Sequence, residues 1–301
     1  MDQATSVIEL RQYLQHWKDH ARSIAFIPTM GNLHAGHMSL IEKGQALSDR
    51  TICSIFVNPM QFGPNEDWDH YPRSLERDIE QLEALGCDLV YLPTASELYP
   101  EGLDKISHVQ VTDLTDNYEG THRPGHFTGV ATVVLKLFNI VMPDISVFGK
   151  KDFQQYRVIS KMVEDFNLDV QIIGQETTRE ASGLATSSRN QHLDQAQTQQ
   201  AALIYQLLQQ TAQQIEQGER DFETLQTRAI TSLDEAGFKT DYFCICNAES
   251  LLPASPEDRD LVILVTAAMG PRWPAAGTST PRRRRLRSGR RLGSTRCWSS
   301  T

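Results

Sequence analysis

Through about residue 175, short apolar or β-branched runs alternate with segments of helical period. "SIAFIPT" (23–29), "RTICSIFV" (50–57), "CDLVYLP" (87–93), "DISVFG" (144–149) and "DVQIIG" (169–174) are bounded by turn residues, which predicts buried strands. Between them the period lengthens. A helix is predicted from Gly36 to about Leu47, and "SLERDIEQLEAL" (74–85) carries its apolar stripe at Leu75, Ile79, Leu82 and Leu85. "HFTGVATVVLKLFNIV" (126–141) predicts a buried helix and "DFQQYRVISKMVEDF" (152–166) an amphipathic one. Strands alternating with helices imply an α/β domain over 1–175, a parallel sheet with helices on both faces.

Beyond residue 176 the pattern changes. A Gln-rich helix is predicted over 194–217, with Ala201, Ile204, Leu207, Leu208 and Ile215 on its apolar side. A second helix follows near 222–236, then the strands "DYFCIC" and "LVILVTAA", so 176–270 reads as a smaller α+β domain. From Pro271 the chain has three Pro, a run of four Arg and no apolar period, which predicts disorder over 271–301.

Charge separates the same regions. The chain carries −9, yet 271–301 holds nine Arg, no Lys and no acid, so 1–270 carries −18. An acidic body argues against a nucleic-acid partner. No apolar run reaches the length of a membrane span, about 18 residues, and the N-terminus lacks the order of a signal peptide. Five cysteines without regular spacing suggest reduced thiols and a cytoplasmic location.

Four words stand where chemistry is expected. "PTMGNLHAGH" (28–37) joins a strand to a helix, the place where open α/β sheets bind ligands. Its glycines allow close backbone approach, and its helix start offers free N–H groups to phosphate. His34 and His37 could donate to phosphate oxygens, or simply decorate a turn; zinc would need further ligands that the sequence does not offer. "SIFVNPMQFG" (54–63) places Asn58 and Gln61 past the next strand, either as substrate amides or as an Asn-Pro turn. "VFGKKDFQQ" (147–155) puts Gly149, Lys150, Lys151 and Asp152 before a helix, with Asp152 a candidate cap and Gln154 and Gln155 in its first turn, facing the same cleft. "GLATSSRN" (183–190) is a donor-rich loop, or a polar linker.

Together these words, with "YPRSLERD" (71–78) and "RPGHFTGVATVV.KLFN" (123–139), closely resemble the pantothenate synthetase (pantoate–β-alanine ligase) family over about residues 1–270. The resemblance implies a Rossmann-like nucleotidyltransferase (HxGH) domain, a C-terminal lid domain and a homodimer. It implies that ATP activates (R)-pantoate as pantoyl adenylate, with release of pyrophosphate, and that β-alanine displaces AMP to give pantothenate. Met30, Gly31, Asn32, Leu33, His34, Ala35, Gly36 and His37 would form the ATP loop, with His34 and His37 on phosphate and His37 the proton donor. Gly149, Lys150, Lys151 and Asp152 would hold nucleotide, with Lys151 on the phosphates and counted among the catalytic residues. Thr186, Ser187, Ser188 and Arg189 would close on the triphosphate; Gln61 and Gln155 would bind pantoate. Asp78 would help orient Mg2+, whose shell should be mostly phosphate and water oxygens.

Three departures stand out. Lys150 replaces the family's usual acid and should point outward, and Thr186 replaces a leucine with at most a modest effect. The family's final strand word is missing after "VTAAMG", which reads as a shift of frame near residue 271 and leaves the last strand without a partner. Some family members continue into a fused cytidylate kinase, but the tail holds no Walker-type loop. The alternatives are another HxGH nucleotidyltransferase, a poorly active ligase, or a nucleic-acid binder with an Arg-rich arm.

Overall fold

The computed structural model describes residues 1–301 except 64, 65, 67, 69, 70, 189, 191, 192, 270–273 and 283–301, with the backbone alone described for 274–282. The chain opens with β1 (Asp2–Ala4), a short strand absent from the sequence reading. α1 (Val7–Asp19) follows, started by a reciprocal Ser6–Glu9 capping box. Then come β2 (Ile24–Thr29), α2 (Ala35–Gln45), β3 (Arg50–Ile55), α3 (Leu75–Ala84), β4 (Leu89–Tyr91), the short helices α4 (Ala95–Leu98) and α5 (Glu119–His122), α6 (His126–Val141), β5 (Ile145–Gly149), α7 (Phe153–Asp165) and β6 (Gln171–Gln175). The second unit is α8 (Gln195–Glu216), α9 (Phe222–Glu235), β7 (Phe238–Asn247), β8 (Leu261–Met269) and β9 (Pro274–Arg282).

Strands β1 to β6 form one parallel sheet in the order β1-β4-β3-β2-β5-β6. The twofold alternation of a strand divides its side chains between two cores. Ile24, Phe26, Ile52, Leu89 and Tyr91 pack with α1, α6 and α7, whereas Ala25, Ile27, Cys53 and Val90 pack with Leu40, Ile41 and Leu82 of α2 and α3. Burial of both faces explains why these strands read as continuous apolar runs. The order reverses between β2 and β5: β3 lies on one side of β2, and β5 and β6 on the other. Their carboxyl ends therefore flank a crevice.

The second sheet is antiparallel, β7-β8-β9. Phe243, Ile245, Ile263 and Val265 face α8 and α9, while Cys246, Val262 and Leu264 join the core of the first unit. Packing on both faces makes "LVILVTAA" continuously apolar as well. Strand β9 corrects the expectation that 271–301 is wholly disordered and that β8 lacks a partner. Its backbone pairs with β8 from Leu261↔Arg282 to Ala268↔Pro274. Main-chain ladders need no particular side chains, and an edge strand tolerates Pro274 and Pro281.

Candidate active site

The loop after β2 turns sharply. Gly31 (φ +81°) and Asn32 (φ +49°) both adopt left-handed backbone. A Cβ on Gly31 would stand 3.0 Å from Ile55 and 3.1 Å from Asp78. Asp78, 1% exposed on α3, accepts the N–H of Asn32 and of Leu33, each at 2.8 Å, and the Ser74 hydroxyl at 3.1 Å. This corrects the metal reading of Asp78. Its carboxylate faces the loop backbone rather than the cavity, because two N–H groups turned inward by the loop need a buried acceptor.

His34 is the N-cap of α2. Its Nδ1 accepts the Gly36 N–H at 3.1 Å, while the His34 backbone N–H donates to His37 Nδ1 at 3.3 Å. The rings lie 4.1 Å apart. Burial lowers the His34 pKa to about 4, with nearby Lys151 adding to the shift. Burial lowers that of His37 to about 3, helped by His34 and Lys151. Both rings are therefore neutral, and an Nδ1 that accepts leaves the proton on Nε2. The pair presents two N–H donors at the positive end of a helix.

A cavity of about 320 Å³ opens at the crevice, lined by Met30, His34, Gly36, His37, Gln61, Gly149, Lys151, Asp152, Gln155, Thr186, Ser187 and Ser188. Four separate sequence words thus converge on one space. Its wall is apolar, with Phe56, Val130, Val133, Val134 and Leu137, and Tyr242, Leu264 and Val265 reach it from the second unit. Gln61 is held by an amide relay. The Tyr99 hydroxyl donates to Asn58 Oδ1 at 2.7 Å, and Asn58 Nδ2 donates to Gln61 Oε1 at 3.1 Å. That leaves the Gln61 amide nitrogen against Met30 Sδ at 3.1 Å. Gln154 and Gln155 both line the cavity, but the Gln154 amide is spent on the backbone of Leu114, Asn117 and Glu119.

Some candidates lie elsewhere. Lys150 is absent from the cavity lining and ion-pairs with Glu176, where the edge strand β6 passes beside it. Asp152 precedes α7 without a side-chain capping bond. Asn32, Leu33 and Ala35 contribute loop backbone rather than cavity wall. Arg189 lies outside the described residues. Thr186 donates its hydroxyl to the Thr178 carbonyl at 3.0 Å, so polar bonding takes the place of leucine packing there.

The structure adds three lining residues that residue-level reasoning passed over: Glu119, Arg123 and His126. Arg123 grips Glu66 through Nε and Nη2 and donates to His126 Nε2 at 3.2 Å, while His126 Nδ1 donates to the Gln61 carbonyl at 2.9 Å. Burial and the neighbouring guanidinium lower the His126 pKa to about 4. The word "RPGH" before a buried helix was the available signal. Among the described residues no three His, Cys, Asp or Glu side chains cluster as a metal site, and no helix is long and apolar enough to cross a membrane.

The family model for pantoate-beta-alanine ligase matches residues 2–275. The chain belongs to the pantoate–β-alanine ligase family. Pantothenate synthetase of Marinobacter nauticus is 49% identical over 265 residues, covering 88% of this chain and 94% of the relative, and that of Alteromonas mediterranea is 48% identical with the same coverage. The crystal structure of pantothenate synthetase from Thermus thermophilus superposes with a TM-score of 0.83 at 38% identity, covering 93% of this chain and 99% of the other. The pantoate–β-alanine ligase of Francisella tularensis, complexed with Beta-gamma ATP and Beta-alanine, gives a TM-score of 0.77 at 31% identity, covering 93% and 97%. Family membership makes this protein a ligase of pantothenate biosynthesis. The match ends at residue 275, before the run of four Arg at 282–285.

Proposed function

We propose that the cavity binds ATP beside (R)-pantoate and joins pantoate to β-alanine through a pantoyl adenylate. The carboxylate oxygen attacks the α-phosphorus, the bond to the β-phosphate oxygen breaks, and pyrophosphate leaves. The β-alanine amine then attacks the acyl carbon, loses a proton, and AMP leaves with the former carboxylate oxygen. The observation that carries this reading is the pair of neutral imidazoles whose Nε2–H groups stand with Lys151 at the switch point of the sheet. Fixed donors in a dry cleft can stabilise charge that grows on phosphate oxygens during attack.

Neutral rings refine the expected role of His37. At neutral pH it acts as a hydrogen-bond donor through Nε2 rather than as an imidazolium acid. Ser187 and Ser188 would hold the triphosphate, with Arg189 joining them, while Lys151 would neutralise it. Gln61 and Gln155 would hold the hydroxyl and carboxylate groups of pantoate, and Val133, Val134 and Leu137 suit its geminal methyls. The second unit would close as a lid, bringing Tyr242 and Leu264 over the substrates. The described residues do not fit a protein-built magnesium site, so magnesium would arrive with the nucleotide on phosphate and water oxygens, and no step is assigned to it. The family resemblance also supports a cytoplasmic homodimer, which sedimentation would test.

The deciding assay supplies pantoate, ATP and Mg2+ with and without β-alanine and follows pyrophosphate, AMP and pantothenate. Pyrophosphate without β-alanine, and pantothenate with AMP when it is added, are expected. A folded protein that releases no pyrophosphate would refute the reading. His37→Ala should slow pyrophosphate release by about 10²–10³-fold, the usual cost of losing one such donor, without unfolding the protein.

A further inference from the structure

The loop between β6 and α8 is folded into a hook. Glu180 N–H donates to the Leu184 carbonyl at 2.8 Å, Arg179 and Ala185 form an antiparallel bridge, and Asn190 Nδ2 ties the Ala185 carbonyl at 2.9 Å. One arm rests on the first turns of α2: the Thr178 hydroxyl donates to Ser39 Oγ at 3.0 Å, and Thr186 Oγ1 stands 3.1 Å from where a Gly36 Cβ would be. The other contact is remote from the cavity. The Arg179 guanidinium lies 3.9 Å from the centre of the Tyr205 ring, on α8, and donates to the Gly183 carbonyl at 3.2 Å. Gly183 has φ +91°, and a Cβ there would stand 2.4 Å from Tyr205 Cδ1. The ring thus lies against the open side of the glycine and is close to the cation. Neither Arg179 nor Tyr205 lines the cavity. The same hook carries Ser187 and Ser188, which do.

We infer that Arg179 and Tyr205 form a positioning pin that locks the hook to α8 and so sets Ser187 and Ser188 in place for the ATP phosphates. The inference rests on the reading of Ser187 and Ser188 as phosphate donors. A flexible loop must be ordered when it binds, and a pin made in advance removes part of that cost. A half-buried cation over an aromatic face is a fitting pin, because it holds the plane of the loop without occupying a phosphate-binding group. The pin also ties the hook to the first helix of the second unit, so movement of that unit would carry the serines with it.

Steady-state kinetics of the full chain, with ATP, pantoate and β-alanine varied in turn, test the pin. Arg179→Gln and Tyr205→Leu should each raise KM for ATP about tenfold, the scale of one cation–π contact, with KM for β-alanine and the melting temperature unchanged. Tyr205→Phe keeps the ring face and should keep the wild-type KM. Arg179→Gln combined with Tyr205→Leu should be no worse than either alone. The inference is overturned if the single variants leave KM for ATP within twofold, if Tyr205→Phe is as impaired as Tyr205→Leu, or if KM for β-alanine rises equally. Ser188→Ala serves as the marker of the underlying reading. If it leaves KM for ATP unchanged, the assignment of the serines to phosphate fails, and the pin as stated fails with it. If it raises KM and the pin variants do not, the pin alone is wrong.

Discussion

Asp78→Asn separates an anchor from a metal ligand. The wild-type carboxylate accepts two backbone N–H groups at 2.8 Å and is 1% exposed. The amide keeps the shape but turns one acceptor into a donor facing an N–H. One charge-assisted hydrogen bond, worth about 1.5–3 kcal/mol, is lost and a buried donor is left unpaired, so the variant should lose roughly 3 kcal/mol. At about 2–4 °C per kcal/mol for a domain of this size, the melting temperature should fall by about 6–12 °C. The loop at Gly31 and Asn32 holds left-handed backbone only while its N–H groups are gripped, so His34 should shift too. A displacement on the order of 1 Å costs about a hundredfold in rate, to be read as pyrophosphate release at saturating magnesium. Thermal unfolding followed by circular dichroism, with a magnesium titration of the rate, decides the matter. Unchanged melting with a higher magnesium requirement would place Asp78 on a metal and refute the anchoring argument.

Two further outcomes follow from buried groups. Lowered pKa values favour the neutral rings of His34, His37 and His126. Their contribution should therefore be fully present above the unfolded value of 6.5 and be lost as pH falls toward about 4 for His34 and His126 and about 3 for His37. Urea unfolding at a series of pH values should show this acid loss flattened in His37→Gln, and an unchanged slope would refute it. Gly129→Ala would drive a Cβ to 2.5 Å from the Met60 carbonyl and 2.7 Å from Gln61 Cα. Backbone cannot yield as a side chain does, so a loss of about 1–3 kcal/mol is expected, together with a raised KM for pantoate; a neutral variant would show that α6 can move away.

The alternation of apolar runs and helical periods was enough to place the central strands and the long helices from α2 onward, because β2 to β5 are largely buried on both faces, while β1, α1, the short helices α4 and α5, and β9 were not predicted. The span 126–141 was legible to the residue: its valines are enclosed, and left-handed residues bound it at Gly125 and Met142. The site words were legible as candidates, since glycines, histidines and amides at strand ends are local features. Their meeting was not local. It depends on β5 crossing to the far side of β2, a choice of strand order that no single segment encodes. Asp78 reads from the sequence as a candidate for orienting Mg2+, and only the inward turn of residues 31–33 shows its carboxylate to be committed. His126 and Arg123 became site residues because α6 begins beside Gln61 in space, 65 positions from it in sequence. β9 marks the opposite limit: composition argued for disorder, and the open edge of β8 supplied the order, since hydrogen bonds between main chains are indifferent to the side chains that composition counts.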